Sequence, residues 1–179
     1  MIFQNIEFYE TPKYQYLLIH KNASTSILNF IQKDNYFITK NKNLNKVRWT
    51  VIRDPFERFV SGLIYDLKRN DLKVEDINFD KLFTSKVNEK TRQIGSVNHT
   101  CLQTMYLINA DINWYIDIND LDIFLKMHFN ERICLNKLEN YNLKIDKEEV
   151  MKYLKIDYEV YNQIMHSENL WEWQKGKIF

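Results

Sequence analysis

Glycine and proline are scarce in this chain of 179 residues: three glycines (Gly62, Gly95, Gly176), two prolines (Pro12, Pro55), and alanine only at Ala23 and Ala110. That scarcity excludes chemistry. Neither G-x-x-x-x-G-K-[ST] nor G-x-G-x-x-G can be written, so the usual glycine-rich phosphate loops are absent in their common form. The cysteines Cys101 and Cys134 have neither metal-ligand spacing nor the density of a disulfide scaffold, and both read as buried thiols. Apolar runs end after a few residues, as in Leu17-Leu18-Ile19, and Met1-Ile2-Phe3-Gln4-Asn5 lacks the layout of a secretory signal. No membrane span and a cytoplasmic location are therefore expected. With 25 Lys plus Arg against 24 Asp plus Glu the net charge is +1, which argues against a nucleic-acid partner. Any anion site must be local.

What is present suits one folded unit. Hydrophobic residues make up 45% and aromatics 15%, enough for a substantial core, and no repeat or linker divides the chain, so residues 1–179 read as a single domain. Strand-like and helical patterns alternate. Tyr14 to His20 suits a buried strand; a helix follows at once, with Ser24 or Thr25 as its cap and Ile27, Leu28, Phe30 and Ile31 mainly on one side. Val47 to Ile52 forms a second strand, after which Asp54 caps a helix, Pro55 takes its first position and Glu57 completes a capping box. Phe56, Val60, Leu63, Ile64 and Leu67 make its apolar stripe, running to about Lys68. Beyond it the pattern predicts helices near 79–87, 98–109, 121–129, 146–155 and 157–166, and strands at Trp114 to Ile118 and Arg132 to Leu138. The expected fold is α/β, a mostly parallel central sheet flanked by helices, with ligands bound beyond the carboxyl ends of the strands.

Both strong strand-to-helix junctions lie at that edge. His20-Lys21-Asn22-Ala23-Ser24-Thr25-Ser26 puts a lysine, small residues and hydroxyls at a helix mouth, the makings of an anion site or simply a capped helix with an exposed lysine. Arg53 follows the second strand and Ser61 lies two helical turns along, either a fork and a hydroxyl for a phosphate or an arginine paired with Asp54 or Glu57 beside a packing serine.

Together the two junctions resemble the sulfotransferases that use 3′-phosphoadenosine 5′-phosphosulfate (PAPS). Lys21-Asn22-Ala23-Ser24-Thr25-Ser26 is similar to the family's 5′-phosphosulfate loop, and Ile52-Arg53-Asp54-Pro55-Phe56-Glu57-Arg58-Phe59-Val60-Ser61 to its 3′-phosphate motif, closest to the carbohydrate sulfotransferases. The resemblance covers roughly the first third of the chain. It implies a P-loop-like sulfotransferase architecture and transfer of the sulfuryl group of PAPS to an acceptor hydroxyl, of a saccharide or glycoconjugate, leaving adenosine 3′,5′-bisphosphate. No metal is needed for that chemistry. Lys21 would stabilise the leaving oxygen, Asn22, Ala23, Ser24, Thr25 and Ser26 would hold the 5′-phosphate, and Arg53 and Ser61 the 3′-phosphate. His99, in a segment similar to a histidine-and-glutamine stretch of carbohydrate sulfotransferases, is the first candidate for general base, or else a polar residue near a helix start. His20 is the second candidate.

The remaining features read as structural. His128 and His166 fall in helices as surface or core residues; Glu57 and Asp66 carry structural charges and capping on the second helix; Lys40 to Arg48 is a solvated basic loop or a face for an anionic acceptor; and Trp171 and Trp173 clamp the terminal segment or stack on a sugar. Two other functions remain open, a nucleotide-dependent kinase of related architecture and a catalytically inactive nucleotide- or glycan-binding module.

Overall fold

Tyr14, Tyr16 and Leu18 join one apolar cluster and Leu17 and Ile19 another, so the strand, which ends at Leu17 where one to His20 was expected, and the segment leaving it are buried on both sides. The structure, a computed structural model, describes residues 7–77, 79, 99–133 and 143–172. Five strands form one sheet: β1 (Phe8–Glu10), β2 (Tyr14–Leu17), β3 (Phe37–Thr39), β4 (Val47–Ile52) and β5 (Trp114–Asp117), in the order β3-β1-β2-β4-β5. The helices are α1 (Ser24–Ile31), α2 (Pro55–Asn70), α3 (Thr104–Leu107), α4 (Leu121–Phe129), α5 (Lys147–Tyr153) and α6 (Lys155–Met165), with a 3-10 turn at Val74–Asp76.

The α/β class is as expected, but the sheet is mixed where a mostly parallel one was expected. β2, β4 and β5 run parallel; β1 pairs antiparallel with both β2 and β3. The two added strands are only three residues long, too short to show a period. Thr11 makes the β1–β2 turn, its hydroxyl bonded to the Tyr14 oxygen at 3.2 Å and accepting from the Tyr14 amide at 3.1 Å.

One side of the sheet packs Tyr16, Trp49 and Ile116 against Ile27, Phe30 and Ile31 of α1 and Phe124 and Leu125 of α4. Trp171 is 1% exposed within this cluster, so it clamps the chain and does not offer a face to a sugar; Trp173 lies outside the described residues. A separate cluster joins Phe59, Leu63 and Leu67 of α2 to Val150 and Leu154 at the α5–α6 boundary.

Local signals set α2 well. The Asp54 carboxylate accepts from the Glu57 amide at 3.0 Å and Pro55 opens the helix. Elsewhere tertiary partners override pattern. The helix expected near 98–109 shrinks to Thr104–Leu107, because the buried Asp157 carboxylate accepts from the Gln103 and Thr104 amides, both at 2.8 Å, and so fixes where the helix begins. The basic stretch is not simply solvated: Arg48 is 5% exposed and donates to the Asn43 and Asp111 main-chain oxygens at 2.9 and 2.7 Å, while Lys46 pairs with Glu10 at 2.8 Å. Of the remaining expectations, the 79–87 helix past Phe79, the 132–138 strand past Ile133 and Cys134 lie outside the described residues.

Candidate functional site

Parallel neighbours must deliver their outgoing loops to the same edge, and β2 and β4 are such neighbours, with Leu17 opposite Thr50. The loop 20–23 and the Arg53-Asp54 junction therefore lie side by side. Asn22 fastens them: fully buried, its amide donates to the Val51 oxygen at 2.8 Å and to Gln103 Oε1 at 3.2 Å, and Gln103 in turn donates to the Arg53 oxygen at 2.9 Å. The Asn22 side chain is thus a brace.

With Asn22 drawn inward, Lys21 and Ala23 turn into the left-handed region, at φ 69° and 58°. Ala23 stands at the N-cap of α1 and supplies no side-chain cap, so the expected capping by Ser24 or Thr25 does not occur. Those residues and Ser26 occupy the first turn instead, Thr25 exposed and Ser24 and Ser26 half-buried. A helix mouth without a side-chain cap, behind a turn that carries a lysine, attracts anions through its N–H dipoles.

Arg53 is held loosely. Its Nε lies 3.4 Å from Glu57 Oε2 and its Nη1 3.4 Å from the Lys21 oxygen, and Glu57 is 61% exposed. Ser61 is half-buried on α2, one turn beyond Glu57. The Arg53–Glu57 alternative raised by the sequence is therefore what this structure contains, as a weak and exchangeable pair.

The other side of the lysine loop is built by α2. Arg58, Gly62 and Asp66, four residues apart, form one line along the helix. Arg58, 1% exposed, donates from Nε to the His20 oxygen at 3.0 Å, and its Nη1 bonds the Cys101 oxygen. Gly62 lies against the His99 main chain so closely that a Cβ there would sit 2.1 Å from the His99 oxygen. Asp66, 2% exposed, brings Oδ1 to 2.7 Å from His99 Nδ1. Asp66, expected to be a structural charge, is instead the partner of the candidate base.

His99 packs edge-on to Tyr65 at 4.5 Å and to His20 at 5.6 Å between ring centroids, and Lys21 Nζ lies 3.5 Å from the Tyr65 centroid. Lys21, His20 and His99 thus meet in one place, whereas His128 and His166 do not join them. His128 accepts from the Trp171 indole at 3.0 Å, and His166 sits 2.7 Å from the Asn162 oxygen at the end of α6. Burial pushes the Lys21 ammonium down to about 8, the nearby Asp66 opposing the shift and Arg58 adding to it. Burial, His99, Arg58 and Lys21 together depress His20 to about 4, which leaves it neutral at physiological pH. A neutral His20 orients and packs, whereas His99 has a carboxylate, Asp66, at its ring.

Arg58 and Asp66 were missed because their partners are distant in sequence. The available signal was their four-residue spacing about Gly62, on a face next to the Phe59-Leu63-Leu67 stripe. Among the described residues no group of three His, Cys, Asp or Glu is arranged to hold a metal ion. Comparison with family models, curated proteins and solved structures finds no match for this chain, which leaves its own residues to carry the functional reading.

Proposed function

We propose that this chain is a PAPS-dependent sulfotransferase of P-loop-like architecture that sulfates a hydroxyl, of a saccharide or glycoconjugate. The observation that carries the reading is the adjacency of the two junctions, with Arg53 Nη1 3.4 Å from the Lys21 oxygen across neighbouring parallel strands. A donor with phosphate groups at both ends of its ribose needs two neighbouring anion sites, and adjoining strand-to-helix turns are suited to provide them.

PAPS supplies the sulfuryl group. Lys21 leaves the Tyr65 ring and holds the bridging oxygen as charge gathers there, and the first turn of α1, Ser24 to Ser26, holds the 5′-phosphate. Arg53 exchanges its weak contact with Glu57 for the 3′-phosphate, with Ser61 as a second donor. His99 takes the proton of the acceptor hydroxyl. Positioning and electrostatic stabilisation carry most of the rate, as in phosphoryl transfer.

Calorimetric titration with adenosine 3′,5′-bisphosphate and with AMP, without divalent metal, tests the reading. A clear preference for the bisphosphate is expected and leads directly to turnover assays with PAPS. Equal or absent binding would overturn it and favour the kinase or the inactive binding module.

A further inference from the structure

We propose that Asp66 is a positioning residue for His99: it fixes the imidazole with its proton on Nδ1, keeps Nε2 basic, and stabilises the imidazolium formed when Nε2 takes the acceptor's proton. The inference rests on the sulfotransferase reading for its reaction, but its physical core is independent of it.

Three observations support it. Asp66 Oδ1 is 2.7 Å from His99 Nδ1, a distance typical of a charge-assisted bond. A carboxylate in its ionised form only accepts, so in that form the pairing puts the hydrogen on Nδ1 and leaves a neutral ring its lone pair on Nε2. Secondly, the carboxylate is 2% exposed and its Oδ2 has no hydrogen-bond partner among the described residues. A buried carboxylate with one oxygen unpaired lacks compensation for its charge, and a neighbouring imidazolium offsets that charge across the Nδ1 contact. Thirdly, the ring cannot easily drift. Gly62, one turn before Asp66, lets the His99 main chain lie directly on α2, Tyr65 and His20 flank the imidazole edge-on, and Arg58 pins the next segment through the Cys101 oxygen. A helix that holds both the main chain and the ring of His99 fixes its orientation, the condition proximity catalysis requires.

The transfer balances as follows. The acceptor O–H bond breaks, its proton passing to His99 Nε2, as the oxygen forms its bond to sulfur. The bond from sulfur to the 5′-phosphate oxygen breaks, and its electron pair departs on adenosine 3′,5′-bisphosphate. Asp66 stays ionised throughout and offsets the new imidazolium charge. Without it, the ring is free to take the opposite tautomer and present a donor where an acceptor is needed.

The test combines spectroscopy and kinetics. In ¹⁵N-labelled wild-type protein, long-range ¹H–¹⁵N correlations above the titration of the ring, with His99 assigned by its loss in His99→Gln, should show the proton on Nδ1. A proton on Nε2 overturns the proposal, and this measurement needs no Asp66 variant to fold. In Asp66→Asn the Nδ1 tautomer should lose its dominance and kcat should fall by about 10²–10³-fold, while affinity for adenosine 3′,5′-bisphosphate changes less than about threefold. Unchanged kcat, or a parallel loss of nucleotide affinity, overturns the positioning role. An Nδ1 tautomer that depends on Asp66, in a protein that binds no bisphosphate, would uphold the hold of Asp66 on His99 and overturn the sulfotransferase reading alone.

Discussion

The guanidinium of Arg58 donates to the main-chain oxygen of His20 at 3.0 Å, tying the loop after β2 to the first turn of α2. With its second bond to the Cys101 oxygen, this fully buried side chain joins three separate stretches of chain. Arg58→Met removes the charge and leaves both carbonyls without that donor. We expect a loss of about 3 kcal/mol in unfolding free energy, read from the midpoint of urea denaturation. A loss below about 0.5 kcal/mol, the usual size of a surface change, would contradict the account.

Gly62→Ala separates local from tertiary effects. Helix propensity favours alanine by about 1 kcal/mol. Against it, the new Cβ would lie 2.1 Å from the His99 oxygen and 2.6 Å from the His99 carbonyl carbon, both main-chain atoms. The segment at 99–101 must move off α2, and a net destabilisation of about 2 kcal/mol is expected. A higher thermal midpoint in the variant would show that this segment yields without cost.

Acid should weaken the fold through His20. The unfolded ring takes up its proton near 6.5, whereas the folded ring does so only near 4. Between those values the unfolded state binds more protons, so this contribution is complete above about 6.5, declines as pH falls and levels off below about 4. Denaturation curves collected through that window should show a shallower pH slope for His20→Gln than for the wild type. Identical slopes would remove His20 as a source of acid sensitivity.

Lys21 and Arg53 should fail differently. Lys21→Ala is expected to abolish sulfuryl transfer while largely preserving nucleotide binding, since its part is played as the leaving oxygen gains charge. Arg53→Ala should weaken adenosine 3′,5′-bisphosphate by about tenfold or more, the effect of one lost charge-assisted contact, and leave AMP nearly unaffected. Equal loss for both nucleotides, measured by calorimetry, would sink the role given to Arg53.

The legible parts of this sequence were those whose causes lie within a few residues. Asp54 and Pro55 announce the start of α2, and the small residues and hydroxyls after His20 announce the mouth of α1. Where the cause is remote, reading fails. The pattern near 98–109 suggested a longer helix because nothing nearby shows that Asp157, more than fifty residues away, will bond the Gln103 and Thr104 amides. Asp66 reads only as a structural charge on α2 until His99 is folded against it. The cap of α1 was assigned to a hydroxyl on preference alone, but the burial of Asn22 shifts that position to Ala23.

Lys21 and Ala23 adopt left-handed backbone that glycine tolerates better, at about 1 kcal/mol for each side chain. In a chain with three glycines in all, neither is used here. The turn therefore holds a reserve of stability that an engineer could release with Ala23→Gly. The same exchange would widen the range of shapes the unbound loop explores, so a more heat-tolerant protein made this way would meet its ligand less well prepared.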